Sequence, residues 1–268
     1  MLIDLKTMLS PPPSIQRSAP APLAALRRDA LRDALACSAL LGVLTVVIAA
    51  SGALGPGFAG KAVAVFALAC MAVLHGLPAH APHARFGAGN RVTLGRLALI
   101  AGLAGCIGEP LGASGAIAWA MVVVATVAAL LDAVDGPFAR ADGMASEFGA
   151  RFDMESDALL ILVLSVLVLQ TGKAAPWVLA AGLMRYLFVA AAARWRWLAR
   201  PLPPSQRRKT ICAVQIVSLI VCLGPVIDAW LAQTIAGAGL AALACSFAAD
   251  VIWLARAHRS EASETAIP

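Results

Sequence analysis

Residues 132–157 read DAVDGPFARADGMASEFGARFDMESD, a polar stretch in a chain that is otherwise strongly apolar. The 268-residue sequence is 60% hydrophobic and only 13% charged, and its mean hydropathy is +0.83. Because a soluble domain carries roughly 25% charged residues, this composition predicts an integral membrane protein. The polar stretch would then connect two membrane-spanning segments.

On both sides of that stretch lie apolar runs of about 17 to 25 residues, the length needed to cross a hydrocarbon core of ~30 Å. Eight such runs are centred near Leu44, Leu68, Leu103, Val123, Val163, Leu183, Val217 and Leu243. Long unbroken apolar runs exclude the alternation of a β-barrel, and backbone amides in lipid need partners within their own segment. The sequence therefore predicts an all-α, polytopic membrane helix bundle of about eight transmembrane helices.

The formal net charge of +6 gives an orientation. With the N-terminus inside, nearly all loop cations, Arg91 and Arg96 included, fall on the cytoplasmic side, and only Lys61 and Lys173 fall outside. The positive-inside rule thus predicts a multi-pass protein of the inner (cytoplasmic) membrane with both termini and residues 132–157 facing the cytoplasm. No basic domain gathers the charge, so nucleic acid is excluded as a partner.

Cysteine and histidine give no metal signature. The six cysteines are scattered singly through the apolar runs, without a CxxC pair, and are interpreted as small core residues. His75, His80 and His83 lie in a connection broken by Pro and Gly and lack zinc-ligand spacing, so we expect solvated loop histidines.

The aspartates of the opening stretch are spaced for two helix faces. Asp132 and Asp135 are three apart at the end of the fourth run, and Asp153 and Asp157 are four apart at the start of the fifth. Residues three or four apart share a helix face, so two carboxylate pairs can face each other. Between them, Asp142 with Gly143 predicts a turn, and Ser146 predicts the N-cap of the fifth helix.

Four carboxylates in one pocket repel one another unless a cation neutralises them. Oxygen ligands alone are typical of Mg²⁺ or Mn²⁺ sites, so we predict one or two such ions. Gly136, Ala139 and Gly149 leave room for a bulky ligand near the backbone, and Arg140 offers a fixed fork for phosphate. Together these residues predict a metal-bound pyrophosphate.

The stretch resembles the signature DxxDGxxARx8GxxxDxxxD of the CDP-alcohol phosphotransferases, or CDP-alcohol phosphatidyltransferases. Its fixed positions are Asp132, Asp135, Gly136, Ala139, Arg140, Gly149, Asp153 and Asp157. Upstream, NRVTLGR from Asn90 to Arg96 is similar to the NxxTxxR motif at the start of the first core helix of that family.

The resemblance implies a metal-dependent enzyme of membrane phospholipid biosynthesis, which transfers a substituted phosphate group from a CDP-alcohol such as CDP-diacylglycerol to a hydroxyl acceptor and releases CMP. It implies that Asp132, Asp135, Asp153 and Asp157 bind the metal, with Asp157 also the catalytic base. It implies further that the CDP site includes Asn90, Thr93, Gly136, Ala139, Arg140 and Gly149.

The resemblance also divides the chain. The six-helix family core maps onto residues 90–255, and two additional transmembrane helices occupy residues 34–80. Residues 1–33 form a cytoplasmic tail with a short basic helix, and residues 256–268 form a cytoplasmic C-terminal tail. A homodimer is usual in the family and is expected here.

The acceptor is a small hydroxyl compound. Arg185 lies within an apolar run, and Arg208 with Lys209 begins the seventh helix, so the three could bind an acceptor phosphate. This favours a polyol phosphate such as glycerol 3-phosphate or inositol phosphate. The alternatives are a non-phosphorylated acceptor (serine, choline or inositol) and, for Arg185, a structural pair with a carboxylate such as Asp250.

Two other functional classes stay open. A UbiA-like prenyltransferase also uses Mg²⁺ and a pyrophosphate donor, but its aspartates lie on two separate helix hairpins. An ion-coupled transporter would need ionisable residues along a path, and Arg185 and Asp250 are few for that purpose. Binding of a CDP nucleotide separates both classes from a CDP-alcohol enzyme.

Overall fold

The computed structural model describes residues 21–55, 57–80, 83–110, 115–141, 144, 146–203 and 205–264, with the backbone alone for 21–22, 133–141 and 260–264. Over these ranges the chain forms eight α-helices and no β-strand. They are α1 (Ala21–Ala50), α2 (Gly57–Gly76), α3 (Ala88–Gly105), α4 (Ala116–Ala141), α5 (Glu147–Gln170), α6 (Leu179–Arg194), α7 (Gln206–Leu223) and α8 (Ala229–Glu264). The predicted all-α bundle is confirmed, with one apolar run in each helix.

Four helical segments of the described chain are long and apolar enough to cross a membrane: Leu23–Ala50, Gly57–His80, Pro176–Arg194 and Ala229–Arg259. The outer helices carry large apolar side chains on their surface, as at Leu40, Val43 and Val47 of α1. In water such a surface would be unfavourable, whereas lipid tails solvate it. The surface of α1 is therefore that of a membrane helix.

The short basic helix predicted for the tail is continuous with the first span. Helix α1 begins at Ala21 rather than near Ala34, because no Gly or Pro interrupts the chain from Leu23 to Leu41. Its polar end binds the core: Asp33 accepts a 2.7 Å hydrogen bond from Arg91 of α3. Asp29 accepts another, of 3.0 Å, from the backbone N–H of Phe86.

Two apolar clusters hold the bundle together. One lies mainly among α3 to α8, with Phe58 of α2 at its edge, and includes Ile100, Leu164 and Leu219. The other lies where α1 and α2 pack on α3 and on the start of α5. The two additional helices therefore share a core with the helices that follow them.

Polar contacts close the end of the bundle away from residues 132–157. Lys61 of α2 forms a 2.6 Å ion pair with Glu109, which follows α3. Glu109 also accepts a hydrogen bond of 2.8 Å from the backbone N–H of Gly55. Lys173, after α5, donates to the carbonyl of Gly224, after α7, at 2.5 Å. The two cations predicted to lie outside thus stabilise helix ends.

Candidate active site

Three carboxylates from two helices meet at the other end of the bundle. Asp132 lies near the end of α4, and Asp153 and Asp157 lie one turn apart near the start of α5. One oxygen from each lies within 4.8 Å of the others. The structure thus brings together three of the four metal ligands that the residue spacing predicted. The side chain of Asp135, the fourth, lies outside the described residues.

A buried arginine of α3 occupies the centre of this cluster. The Arg96 side chain is 0% exposed. Its Nη1 lies 2.6 Å from Asp153 Oδ1 and 2.8 Å from Asp132 Oδ1, and Nη2 lies 2.5 Å from Asp157 Oδ1. Its Nε donates a 3.1 Å hydrogen bond to the carbonyl of Ala128, one turn before Asp132. A buried charge needs such pairing, because an unpaired one is strongly unfavourable.

Sequence reasoning missed this role of Arg96. It counted the residue as one more loop cation that sets topology, although the NxxTxxR motif contains it. The motif itself could have indicated a role for Arg96, because it places the arginine inside a helix and not in a loop. In the structure Arg96 lies eight residues after the first residue of α3. Its burial, however, depends on how α4 and α5 pack against α3, which no local pattern reports.

The start of α5 is fixed by a cap and by a buried histidine. Ser146 is the N-cap, and its hydroxyl accepts a 3.0 Å hydrogen bond from the N–H of Gly149, as predicted. The same hydroxyl lies 2.7 Å from His80 Nδ1. The His80 side chain is buried, so the prediction of a solvated histidine was wrong: a short 3-10 turn, Leu77–His80, folds it against α5.

The predicted CDP-site residues of α3 lie beside the start of α5. Asn90 and Thr93 are both buried. Asn90 Nδ2 donates to the carbonyl of Phe86 at 2.6 Å, and Thr93 donates to Gly89 at 3.1 Å. A Cβ at Gly149 would lie 3.0 Å from Asn90 Oδ1, so the absence of a side chain permits close packing there. For Gly136, Ala139 and Arg140 the structure describes the backbone alone, and Asp142 and Gly143 lie outside the described residues.

The three predicted acceptor cations lie in different surroundings. Arg185 of α6 forms an ion pair with Glu155 of α5, and Glu155 lines an apolar cavity of about 310 Å³. Because Glu155 is two residues from both Asp153 and Asp157, it lies on a different face of α5. Arg185 therefore pairs on the side of α5 turned away from the cluster.

Arg208 lies at the start of α7, and its Nη1 is 3.3 Å from Asp250 of α8. Arg207 pairs with the same carboxylate, and both arginines line a pocket of about 240 Å³. Lys209 is exposed. The alternative for Arg185, a structural pair with a carboxylate, is what the structure shows, but the partner is Glu155. Asp250, the carboxylate given as the example, pairs with the two arginines of α7 instead.

The carboxylate cluster has the chemistry of a divalent-metal site. Its ligand atoms are oxygens, which suit Mg²⁺ or Mn²⁺. Asp132 Oδ1 is buried and, despite its closeness to Arg96, accepts no hydrogen bond in the described part of the chain. An oxygen with an unshared lone pair in an acidic cluster can bind a cation. The described residues therefore fit the metal that the sequence predicted.

Comparison with known proteins gives the family. The profile of the CDP-alcohol phosphatidyltransferase family matches residues 87–249, more than half of the chain, and that range contains Arg96 and the aspartate cluster. Curated proteins and solved structures gave no significant match. This family uses a CDP-alcohol donor and a hydroxyl acceptor and depends in general on a divalent metal. On the matched range, the chain belongs to the CDP-alcohol phosphatidyltransferase family.

Proposed function

We propose that this protein transfers a phosphatidyl group from CDP-diacylglycerol, or another CDP-alcohol, to a small hydroxyl acceptor and releases CMP. One observation carries the proposal. Asp132, Asp153 and Asp157, which are fixed positions of the family signature, converge around a buried arginine inside the range that matches the family. In a membrane helix bundle, a group of charges around a fully buried arginine is costly and indicates function.

Asp132, Asp135, Asp153 and Asp157 would bind one or two Mg²⁺ or Mn²⁺ ions. When bound, such an ion supplies electrostatic stabilisation for a pyrophosphate and for the charge that develops on the leaving CMP. The chain itself supplies positioning. Asn90, Thr93, Gly136, Ala139, Arg140 and Gly149 are the proposed CDP-binding residues.

Asp157 is the proposed base. The acceptor oxygen forms a bond to the phosphorus that carries the diacylglycerol, the bond from that phosphorus to the CMP oxygen breaks, and the hydroxyl proton passes to the Asp157 carboxylate. One oxygen of Asp157 binds Arg96, and the other, Oδ2, lies 3.8 Å from the Cys212 sulfur. Arg96 and Cys212 thus hold the base between α3 and α7.

For the acceptor we propose a polyol phosphate such as glycerol 3-phosphate or inositol phosphate. Arg208 lines a pocket at the start of α7, and among the described residues it shares a single carboxylate, Asp250, with Arg207. Two guanidinium groups against one carboxylate leave net positive charge for an anion. Arg185 and Lys209 are the further proposed acceptor residues. A non-phosphorylated acceptor is the alternative.

The proposed setting follows the charge distribution. Both termini and the aspartate cluster face the cytoplasm in the inner membrane, and the protein acts as a homodimer. Lys61 and Lys173, the two cations on the opposite side, already have partners at helix ends.

The test is an assay of purified protein with CDP-diacylglycerol, Mg²⁺ or Mn²⁺, and a panel of acceptors. The panel contains glycerol 3-phosphate, inositol phosphate, inositol, serine and choline, and mass spectrometry identifies the lipid product. We expect CMP and a phosphorylated lipid product only with a polyol phosphate and a divalent ion. Product from serine, choline or inositol would instead support a non-phosphorylated acceptor. The absence of any reaction with a CDP donor would favour a prenyltransferase or a transporter.

A further inference from the structure

Arg96 is the charge partner of every aspartate of the cluster that the structure describes. Its guanidinium contacts all three described carboxylates, at 2.5 to 2.8 Å. Asp132, Asp153 and Asp157 together carry three negative charges, and Arg96 is the cation that the described structure places among them. The same three carboxylates are the ones that would hold a divalent ion.

We propose that Arg96 is a resident counter-ion, which stabilises the cluster without metal and, because it neutralises the charge of the same carboxylates, weakens divalent-ion binding. The inference rests on the proposed function, since it concerns the same metal site. Arg96 acts through the aspartates and is therefore a positioning residue rather than a catalytic one.

Competition requires that the guanidinium stays in place when an ion arrives. Arg96 Nε is hydrogen-bonded to the backbone carbonyl of Ala128, and the side chain has no exposed surface. It cannot turn into solvent without breaking that bond and losing its counter-charges. A fixed positive charge beside the ligand carboxylates then opposes a divalent ion by Coulomb repulsion, which is stronger near a buried guanidinium than in bulk water.

The pyrophosphate of the donor would supply the negative charge that Arg96 has neutralised. It brings negative charge to a cluster that Arg96 has partly neutralised, so ion and donor each favour the binding of the other. A cluster of aspartates without the arginine would bind the ion firmly in the absence of donor. Arg96 thus couples the binding of the metal to the binding of the CDP-alcohol. The divalent ion binds tightly only when the donor is bound as well.

The experiment compares wild type, Arg96→Met, Arg96→Lys and Arg91→Met as full-length proteins in detergent. Arg91 is a matched control because it lies on the same helix and also pairs with two carboxylates, Asp29 and Asp33, away from the cluster. Thermal stability is measured in EDTA, and the affinity for Mn²⁺ by electron paramagnetic resonance of the free ion, with and without CDP.

We expect Arg96→Met to lower the Tm in EDTA and to bind Mn²⁺ more tightly than wild type, by roughly 5- to 150-fold, the usual range of such couplings. CDP should strengthen Mn²⁺ binding in wild type and do so less in Arg96→Met. Arg96→Lys, which keeps the charge, should stay near wild type in Mn²⁺ affinity. Arg91→Met should lower the Tm and leave Mn²⁺ affinity unchanged.

Equal or weaker Mn²⁺ binding by Arg96→Met would overturn the inference, because Arg96 would then be merely structural or would preorganise the ligands. If Arg96→Met does not fold, Arg96→Gln and Arg96→Lys decide: tighter binding by the neutral variant alone supports competition, and equal affinities overturn it. Wild type and Arg91→Met that bind no Mn²⁺ at all would instead contradict the metal site of the proposed function itself.

Discussion

Single residues determine what the site can bind, and several of the charged residues near it are paired. Arg96 forms ion pairs with the aspartates of the cluster, and Arg185 pairs with Glu155. Arg207 and Arg208 share Asp250. Arg185 differs from the others because its Nε is buried and has no hydrogen-bond partner among the described residues. An unsatisfied buried donor is costly, and an anion bound at Arg185 would satisfy it.

If Arg185 binds the acceptor phosphate, Arg185→Lys should raise the KM for the acceptor, and Arg185→Ala should raise it further. Arginine binds phosphate with a bidentate fork that lysine lacks, and each ~1.4 kcal/mol of lost binding is about tenfold. Initial rates against acceptor concentration at saturating CDP-diacylglycerol measure this. A rise in the donor KM, with the acceptor KM unchanged, would remove Arg185 from the acceptor site.

At the scale of elements, helix packing brings distant residues together, and small residues set the closest approaches. Helix α6 packs against α5 at Gly182, where a Cβ would lie 2.5 Å from the Cα of Leu162. Small residues at such contacts are typical of membrane helix pairs. The contact fixes α6, which carries Arg185, against the helix that carries the aspartates.

Gly182→Ala should therefore destabilise the protein by roughly 1–3 kcal/mol, the usual cost of overpacking. Gly60→Ala is the control, since a Cβ there meets nothing within 4 Å and alanine favours a helix. Thermal unfolding in detergent should show a lower Tm for the first variant and an equal or higher Tm for the second. Equal Tm values for wild type and Gly182→Ala would show that α5 and α6 do not pack as described.

The connection after α3 predicts a pH dependence. A hydrogen bond from Lys61, followed by one from the Gly55 backbone and by the charge of Lys61, lowers the pKa of Glu109 despite its partial desolvation. Since the folded-state pKa lies below the unfolded value of about 4.3, this group stabilises the fold above that value. The stabilisation disappears as the pH falls through the folded-state pKa.

Between about pH 7 and pH 3, wild type should therefore lose more thermal stability than Glu109→Gln, which has no titrating carboxylate at this position. Lys61→Gln should reduce the same pH dependence, because it removes the main cause of the lowered pKa. The measurement is Tm against pH in detergent for the three proteins. Parallel curves would mean that the pair does not contribute.

For the whole molecule, the sequence predicted the parts that depend on local pattern. Run lengths predicted eight helices, and the spacing of Asp153 and Asp157 predicted their shared face. The extent of α1 and the burial of His80 and Arg96 were not predicted. The last two depend on tertiary packing, since each is buried only because separate helices close around it. No single-sequence pattern carries that information.

The central claim is that the aspartate cluster around Arg96 is the catalytic centre for transfer from a CDP-alcohol. Its most direct test is the rate of CMP release from CDP-diacylglycerol, with a divalent ion and a reactive acceptor, by wild type, Asp153→Asn, Asp157→Asn and Glu155→Gln. Glu155 is the matched control, a carboxylate on the same helix that faces Arg185 instead of the cluster.

We predict that each aspartate variant lowers turnover by roughly 10²- to 10⁴-fold, the range for loss of a positioned base or a metal ligand. Glu155→Gln should retain near-normal turnover at saturating acceptor. Aspartate variants that release CMP as fast as wild type, or a Glu155→Gln protein as inactive as Asp153→Asn, would contradict the account.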